Sequence, residues 1–387
     1  MSGQGAAAGS TADRPRALRV FQLGRVEYQD GMRLMERAAA ALSRPDAEPA
    51  DYLFLLEHPP VLTFGRAADQ ANLLASQEWL ERNGFEIHQT DRGGEVTYHG
   101  PGQVVGYPVV DLSDRRDVRR WVADLEEAMI QTCADYGLEA GRHPEHRGAW
   151  IGPRKVGAVG VHLSRWISTH GFAFNLAPEL RHFQAIVPCG IADPGLGVTS
   201  LAAELTALGR PVPTLAEVQD RLATHLALRL GRQRVDQEPS LRTISVVPVA
   251  ADGRVLLLRR TEARGGFWQP VTGRIEPGES PAQAAQRELE EETGAASPVI
   301  SLGYQHQFGV DPELLRPARP GLHVADETAF AARLPEGLEV RLSAEHEAFG
   351  WFRPDEAVER LPFAGLRRAV RLAVARHLPV PESRSFA

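Results

Sequence analysis

A chain of 387 residues is long enough for two domains, each able to bury its own core. With 43% hydrophobic and 24% charged residues and a formal net charge of -7, it has a globular composition and lacks the basic surplus that general nucleic-acid binding requires. Its two cysteines cannot build a disulfide framework and lie outside any CxxC pair, which excludes zinc and redox motifs and predicts a cytoplasmic setting.

In chain order, residues 1–16 are small and polar and read as a flexible tail, without the basic start and apolar run of a signal peptide. No apolar run reaches the roughly 20 residues of a membrane span. Strand character begins at 19–23, helical spacing follows over 28–42, and the apolar run 52–56 ahead of Pro59-Pro60 suits a buried strand. Residues 104–110 predict another strand. The charge run from Asp114 to Arg120 fits either a solvated face or a local basic patch. Over 119–136, Val122, Leu125, Met129, Cys133 and Tyr136 recur at helical spacing, which makes Cys133 a packed structural thiol.

A helix over 215–230 closes a first domain, 17–232. The polar stretch 233–240 reads as a linker, and a second domain runs over 241–380. The second domain opens with strands at 243–249 and 254–259 joined by Asp252-Gly253, a strong hairpin signal. Pro248, which cannot donate to a ladder, places the first of these at an edge or marks its end.

Lys155 is the only lysine in the chain; the other 42 of 43 basic residues are arginine. Arginine keeps its proton at any working pH, whereas an amine can share one. A leftover surface residue would explain the count equally well, but the setting, Arg154 followed by Lys155-Val156-Gly157-Ala158-Val159-Gly160, favours function. Cys189 sits in the turn-like Val187-Pro188-Cys189-Gly190. Four glycines and a proline within 91–103 describe a loop that approaches something closely, while Arg92, Thr97, Tyr98 and His99 crowd among them. The small-residue stretches 157–160 and 170–175 leave room for a narrow apolar ligand.

These pieces, with Glu57-His58-Pro59-Pro60 and Pro188-Cys189-Gly190, resemble the lipoyl (octanoyl) transferase family in order and over nearly the whole first domain. The resemblance implies an α+β domain of the biotin/lipoate ligase and transferase fold. It implies a cytoplasmic acyltransferase of lipoate biosynthesis and protein lipoylation that needs no cofactor. Octanoyl-acyl carrier protein would be the donor, and lipoyl domains of 2-oxoacid dehydrogenase complexes and the glycine cleavage protein the acceptors. Cys189 would carry the thioester with Lys155 as its partner. Arg92, Gly93, Gly94, Glu95, Val96, Thr97, Tyr98, His99, Ala158, Val159, Gly160, Gly171, Phe172 and Ala173 would line the pocket.

The chemistry is coherent without the family. A neighbouring ammonium lowers a thiol from about 8.5 towards neutrality, and a lysine can accept the proton that an attacking amine must lose. His99 and His170 fit a Cys–His dyad or a positioning role, and the resemblance favours positioning because it gives activation to Lys155. His58, beside two prolines, reads as structural. A nucleophilic cysteine argues for transfer over the ATP-dependent activation of the related ligases, and no P-loop is present.

In the second domain Glu288, Glu291 and Glu292 share one face of a helix that begins at Pro281 and ends at Gly294. The run 273–295 resembles the Nudix box at every defined position but the last, where Ala295 replaces a larger aliphatic residue. That resemblance implies an α/β/α fold with a mixed sheet, Mg²⁺ or Mn²⁺ held by Glu288, Glu291 and Glu292, and Arg287 braced by Glu279. Its activity would be pyrophosphohydrolysis of a nucleoside-diphosphate-type substrate, with Glu345 or Glu347 as a further carboxylate. Residues 267–272 look like the Nudix enzymes acting on dihydroneopterin triphosphate. A rival reading is a Nudix hydrolase whose N-terminal unit only binds an acyl group or a partner. Another makes the Nudix domain a sensor without turnover.

Overall fold

The computed structural model describes residues 16–44, 50–187, 193, 195–310, 322–335 and 338–377. By contacts the chain forms two units, residues 1–22 with 38–237 and residues 23–37 with 238–387. This departs from the expected boundary, because residues 23–37 group with the second unit.

The first unit, with the segment 23–37 that groups with the second, runs β1 (Ala17–Arg25), α1 (Tyr28–Leu42), β2 (Ala50–Glu57), β3 (Val61–Phe64), α2 (Gln77–Arg82), β4 (Glu86–Gln89), β5 (Val96–His99) and β6 (Gln103–Asp111). It continues with α3 (Val118–Asp135), β7 (Ala149–Ile151), β8 (Arg154–Ser164), β9 (Ile167–Asn175), β10 (Gly197–Val198), α4 (Leu201–Ala207), α5 (Leu215–Leu230) and β11 (Gln233–Gln237).

One mixed sheet runs β10-β8-β9-β6-β2-β1-β11, with β7 paired to β8, and a second is the three-stranded β4-β3-β5. The apolar runs seen in sequence become β2 and β6, buried nearly throughout, as central strands covered on both faces must be. One face of the large sheet packs on α3, α4 and α5 through Val104, Phe172, Phe174, Met129, Leu205 and Leu222. Cys133 is fully buried on α3, where burial pushes its thiol up to about 12.

The expected linker is partly a strand, since β11 pairs in parallel with β1 from Gln233↔Ala17 to Gln237↔Phe21. It is a mostly exposed edge strand, so its sequence carries no apolar alternation to announce it. The charge run 114–120 gathers no basic patch: Arg115 bonds Asp124, Arg116 lies over the Trp166 ring, and Arg119 and Arg120 are solvated.

The second unit comprises β12 (Leu241–Val249), β13 (Val255–Arg260), β14 (Trp268–Gln269), β15 (Val271–Arg274), α6 (Pro281–Thr293), β16 (Val299–Val310), β17 (His323–Arg333), β18 (His346–Phe352), α7 (Pro354–Arg360) and α8 (Ala364–His377). Its mixed sheet runs β14-β13-β12-β17-β16, with β15 on β12 and β18 on β13. Strand alternation splits β12 and β13 cleanly. Ile244, Val246, Leu256 and Leu258 pack with Ala284, Ala285 and Leu289 of α6, whereas Val247, Val249, Val255 and Leu257 pack with Ala357, Leu366 and Val370 of α7 and α8.

The result is the expected α/β/α sandwich. The Asp252-Gly253 hairpin forms, with Gly253 at φ 83°. Pro248 stands one residue from the end of β12, but that strand is central, paired in parallel with β17, so the edge reading does not hold. Ala295, small as it is, is buried in the α6 core.

Candidate functional site

β8 carries Lys155 and the first small-residue stretch, and its register with β7 skips Val156: Ala149 pairs with Gly157 and Trp150 with Lys155. This bulge turns Val156 and Gly157 both towards the helices, where Val156 joins the core and a Cβ on Gly157 would meet Met129 Sδ at 2.4 Å. Lys155 therefore shares the opposite face with Ala158 and Gly160. That face also carries Gly171 and Ala173, paired to Gly160 and Ala158 across β9. Val159 and Phe172, expected in the pocket, alternate to the other side and pack in the helical core, so they can offer the site only backbone.

The loop before β5 docks on this face. Gly93 N donates to Val161 O (3.0 Å), and a Cβ on Gly160 would lie 3.1 Å from Gly93 O and 3.3 Å from Arg92 Cδ. Arg92 is buried and donates to Thr63 O (2.6 Å), Thr63 Oγ1 (2.9 Å) and Gly93 O (3.1 Å). Gly65 is needed beside it, for a Cβ there would stand 2.2 Å from Gly94 O. Glu95 accepts from Asp69 N and Asn72 Nδ2, both at 3.2 Å.

The pleat of β5 divides the remaining residues. Val96 and Tyr98 pack with Leu62, Phe64 and Phe183 in a separate core, where Tyr98 Oη bonds His182 Nδ1 at 2.9 Å; Thr97 and His99 alternate to the other face.

A buried hydrogen-bond chain joins these strands. His99 Nδ1 lies 2.7 Å from Gln103 Oε1, Gln103 Nε2 donates to Asn175 Oδ1 (2.9 Å), and Asn175 Nδ2 donates to Thr199 O (2.9 Å). Thr199 N donates in turn to Lys155 O (3.0 Å). Burial, and secondarily the neighbouring His58, pushes the His99 imidazole down to about 3, so it stays neutral. His58 is fully buried, with Nε2 2.7 Å from Tyr107 Oη, as its structural reading anticipates.

His170 holds a left-handed backbone, φ 57°, which costs about 1–3 kcal/mol in a non-glycine residue. Its Nε2 stands 2.8 Å from Asp91 Oδ1, while His162 Nε2 is 3.4 Å from Oδ2 of the same carboxylate. Burial lowers the imidazole of His170 despite that carboxylate, and His170 in turn holds Asp91 below the ordinary carboxylate range against its own partial burial. The pair reads as a clasp on the loop.

The Lys155 side chain is only 7% exposed, and among the described residues the contact of its Nζ is the Trp150 ring, 5.0 Å from the centroid. Cys189 lies outside the described residues. The chain on either side of it is tied down: Val187 N donates to Asn72 O (2.8 Å), and β10 pairs Gly197 and Val198 with Arg154 and Lys155. Sequence reasoning did not single out Thr63, Trp150 or Thr199, which no local pattern marks. Gln103 and Asn175 did lie within the quoted motifs.

An open cavity of about 480 Å³ lies elsewhere, lined by Trp79, Asn83, Glu179, Arg181, His182 and Gln184 among others. It contains none of the expected site residues, and its exposed Glu179 and Arg181 pair with each other. The buried polar chain is the better marker of chemistry, because desolvated polar groups are costly unless they serve a purpose.

In the second unit Arg287 Nε and Nη2 donate to Glu279 Oε1 (2.8 Å) and Oε2 (3.0 Å), and Nη1 reaches Glu288 Oε1 (2.8 Å) and Glu291 Oε2 (3.2 Å). Glu288 fits because residue 273 is glycine: a Cβ there would stand 1.9 Å from Glu288 Cδ. Glu292 is buried, its Oε2 lacks a hydrogen-bond partner among the described residues, and burial plus the charges of Glu288 and Glu345 push it up to about 8. Glu345 rather than Glu347 is the additional carboxylate whose charge acts on Glu288 and Glu292, although both are paired with arginines, Glu345 with Arg260 (3.2 Å) and Arg264 (2.7 Å) and Glu347 with Arg259. An unpartnered oxygen among mutually repelling carboxylates fits a hard divalent cation. Among the described residues no three such groups already converge on one point, so a cation would have to draw carboxylates away from Arg287.

A polar chain spanning paired strands over a helical layer, with a lone buried amine, marks the first unit as an α+β domain, and the second is a carboxylate-helix sandwich. The family model of the lipoyl protein ligase A/B catalytic domain matches residues 27–227 and that of the NUDIX domain residues 239–372. The chain belongs to the lipoyl protein ligase A/B family and is an acyltransferase carrying a Nudix hydrolase domain.

It is 50% identical over 366 residues to an octanoyltransferase of Myxococcus xanthus, spanning 92% of this chain and 99% of that protein. It is 51% identical over 207 residues to an octanoyltransferase of Solibacter usitatus (strain Ellin6076), spanning 53% of this chain and 90% of that protein. Among solved structures, the E. coli dihydroneopterin triphosphate pyrophosphohydrolase is similar at 29% identity and TM-score 0.32, covering 36% of this chain and 99% of that one. No helix of the described residues is long and apolar enough to cross a membrane.

Proposed function

We propose that the first unit transfers an octanoyl group from octanoyl-acyl carrier protein to the lysine of lipoyl domains through a thioester on Cys189, with Lys155 as its acid–base partner. The Lys155 ammonium stabilises the Cys189 thiolate, which attacks the carrier thioester. The carrier sulfur leaves as a thiolate and takes the proton of Lys155. The acceptor amine then attacks the acyl-enzyme, its proton passes to the now neutral Lys155, and Cys189 departs as thiolate, so the cycle closes with every proton returned.

The observation that carries this reading is a sole lysine, buried without a hydrogen-bond acceptor among the described residues, on the face shared by Ala158, Gly160, Gly171 and Ala173. Arg92, Gly93, Gly94, Glu95, Thr97 and His99 position the acyl group and its carrier arm. The names of the curated relatives support the octanoyl chain, and the lipoyl protein ligase description of the matching family supports the lipoyl acceptor. The reading places the reaction in the cytoplasm without a cofactor.

The test is intact mass after mixing with octanoyl-acyl carrier protein. An octanoyl adduct on the wild type that Cys189→Ser abolishes supports transfer, and no wild-type adduct would favour the binding-module reading. For the second unit, Glu288, Glu291 and Glu292 would hold Mg²⁺ or Mn²⁺, which supplies charge neutralisation at a diphosphate and activation of water. Arg287 and Glu279 brace the ligand-bearing helix, and a nucleoside-diphosphate-type substrate is cleaved. Mg²⁺-dependent hydrolysis lost in Glu291→Gln separates that activity from a sensor role.

A further inference from the structure

Trp150 and Lys155 are direct cross-strand partners. The indole cannot turn away from the amine. Its Nε1 donates to His146 O (3.2 Å), the His143 ring packs 4.9 Å from it at 37°, His146 stacks on His143, and the residue is 3% exposed. A cation within about 6 Å of a tryptophan face is attracted by the ring quadrupole, most strongly when desolvated, whereas a neutral amine gains almost nothing. The Lys155 amine meets both conditions, 5.0 Å from the centroid and buried.

We propose that Trp150 is a positioning residue for acyl transfer: its ring seats the Lys155 ammonium and makes the charged amine the resting state to which each catalytic cycle returns. The inference rests on the acid–base reading of Lys155 and extends it. Two steps of the cycle depend on where that amine sits and how readily it holds its proton. In the first it faces a thiolate, and in the last it takes a proton from the acceptor amine. A ring that prefers the ammonium favours both, and opposes only the intervening transfer of that proton to the carrier thiolate. His143 and His146 brace the ring from the surface side and so act one step further out.

The full chain is assayed with octanoyl-acyl carrier protein and a lipoyl domain. Trp150→Leu should lower kcat about tenfold to thirtyfold with KM within about twofold, and Trp150→Phe, which keeps a π face, should stay within about threefold. Because the chain has one lysine, ¹⁵N-lysine labelling gives a single amine resonance, and its chemical shift should change more in Trp150→Leu than in Trp150→Phe. Should the leucine variant fold poorly, mono-, di- and trifluorotryptophan incorporated at position 150 keep the shape and weaken the face stepwise. The logarithm of kcat should then fall with each fluorine. A flat fluorine series, or equal losses in the leucine and phenylalanine variants with equal changes of the lysine resonance, makes the ring mere core and overturns the proposal. Undiminished transfer by Lys155→Met would instead sink the underlying reading, whatever Trp150 does.

Discussion

The two units hold their charged chemistry in opposite ways. In the first, functional groups come from β3, β5, β6, β8, β9 and the 199 turn, and a continuous hydrogen-bond chain keeps His99, Gln103 and Asn175 neutral and paired. In the second, the carboxylates stand on one helix and repel one another; Arg287 of the same helix pairs with Glu288 and Glu291, while Glu292 is left buried with an unpartnered oxygen among the described residues. A site for an apolar acyl chain gains from being finished before its substrate arrives. A site for a divalent ion gains from unrelieved negative charge that the ion itself will neutralise.

The largest effect is expected of Lys155→Arg, which keeps the charge but forbids proton acceptance. Transfer to the lipoyl domain should fall by about 10²–10⁴, the usual worth of a general acid–base group, while the melting temperature barely moves. Full activity would leave the first unit with an electrostatic lysine only. The counterpart in the second unit is Gly273→Ala. Its Cβ would collide with the flexible end of Glu288, so hydrolysis should drop about tenfold to a hundredfold, as when supports of metal ligands are lost. Stability should change little, because the Glu288 side chain can swing aside. If hydrolysis survives, Glu288 does not need its present place.

The same contrast explains what could be read from the amino acids alone. The carboxylate helix is a local object: Ser280 caps it in a capping box, Pro281 starts it, and Gly294 ends it in a left-handed turn, all visible in sequence. The sandwich around it was legible from strand alternation. In the first unit the motif stretches were legible, but not which face each residue would take. The bulge at Val156 reverses the alternation of β8 and so puts Lys155 with Ala158 rather than with Val159, and nothing in the residue types announces it. Thr63 and Thr199 contribute through backbone and hydroxyl at positions where many residues would look the same. β11, polar because it is an edge, resembled a linker, and the grouping of 23–37 with the second unit depends on tertiary contacts that no local pattern encodes.

The second unit also keeps a buried carboxylate that it does not need ionised. Glu327 is buried in β17 beside His306 of β16, which burial pushes down to about 4 and so leaves neutral and uncompensating at pH 8. Burial, against weaker help from Ser245 and Thr243, pushes Glu327 up to about 7. Its ordinary value is 4.5, so the folded state keeps a proton that the unfolded chain has already released. The associated stability is present below about pH 4.5 and is lost as pH rises through about 7. Glu327→Gln should therefore be near neutral at pH 4.5 and stabilising by on the order of 2 kcal/mol at pH 8, read from denaturant midpoints of the full chain. A gain that does not grow with pH would mean that Glu327 is charged and solvated.

The smallest effect belongs to Cys133. Its thiol is packed on α3 between the sheet and the neighbouring helices and held far above neutrality, so it should be inert to iodoacetamide in the native state. Cys133→Ala removes one buried sulfur and should cost about 1 kcal/mol, while transfer stays within about twofold. The variant also leaves Cys189 as the single thiol of the chain, so one alkylation event should abolish transfer completely. Partial inhibition at full labelling would separate the reactive thiol from the catalytic one and dissolve the contrast between the two cysteines.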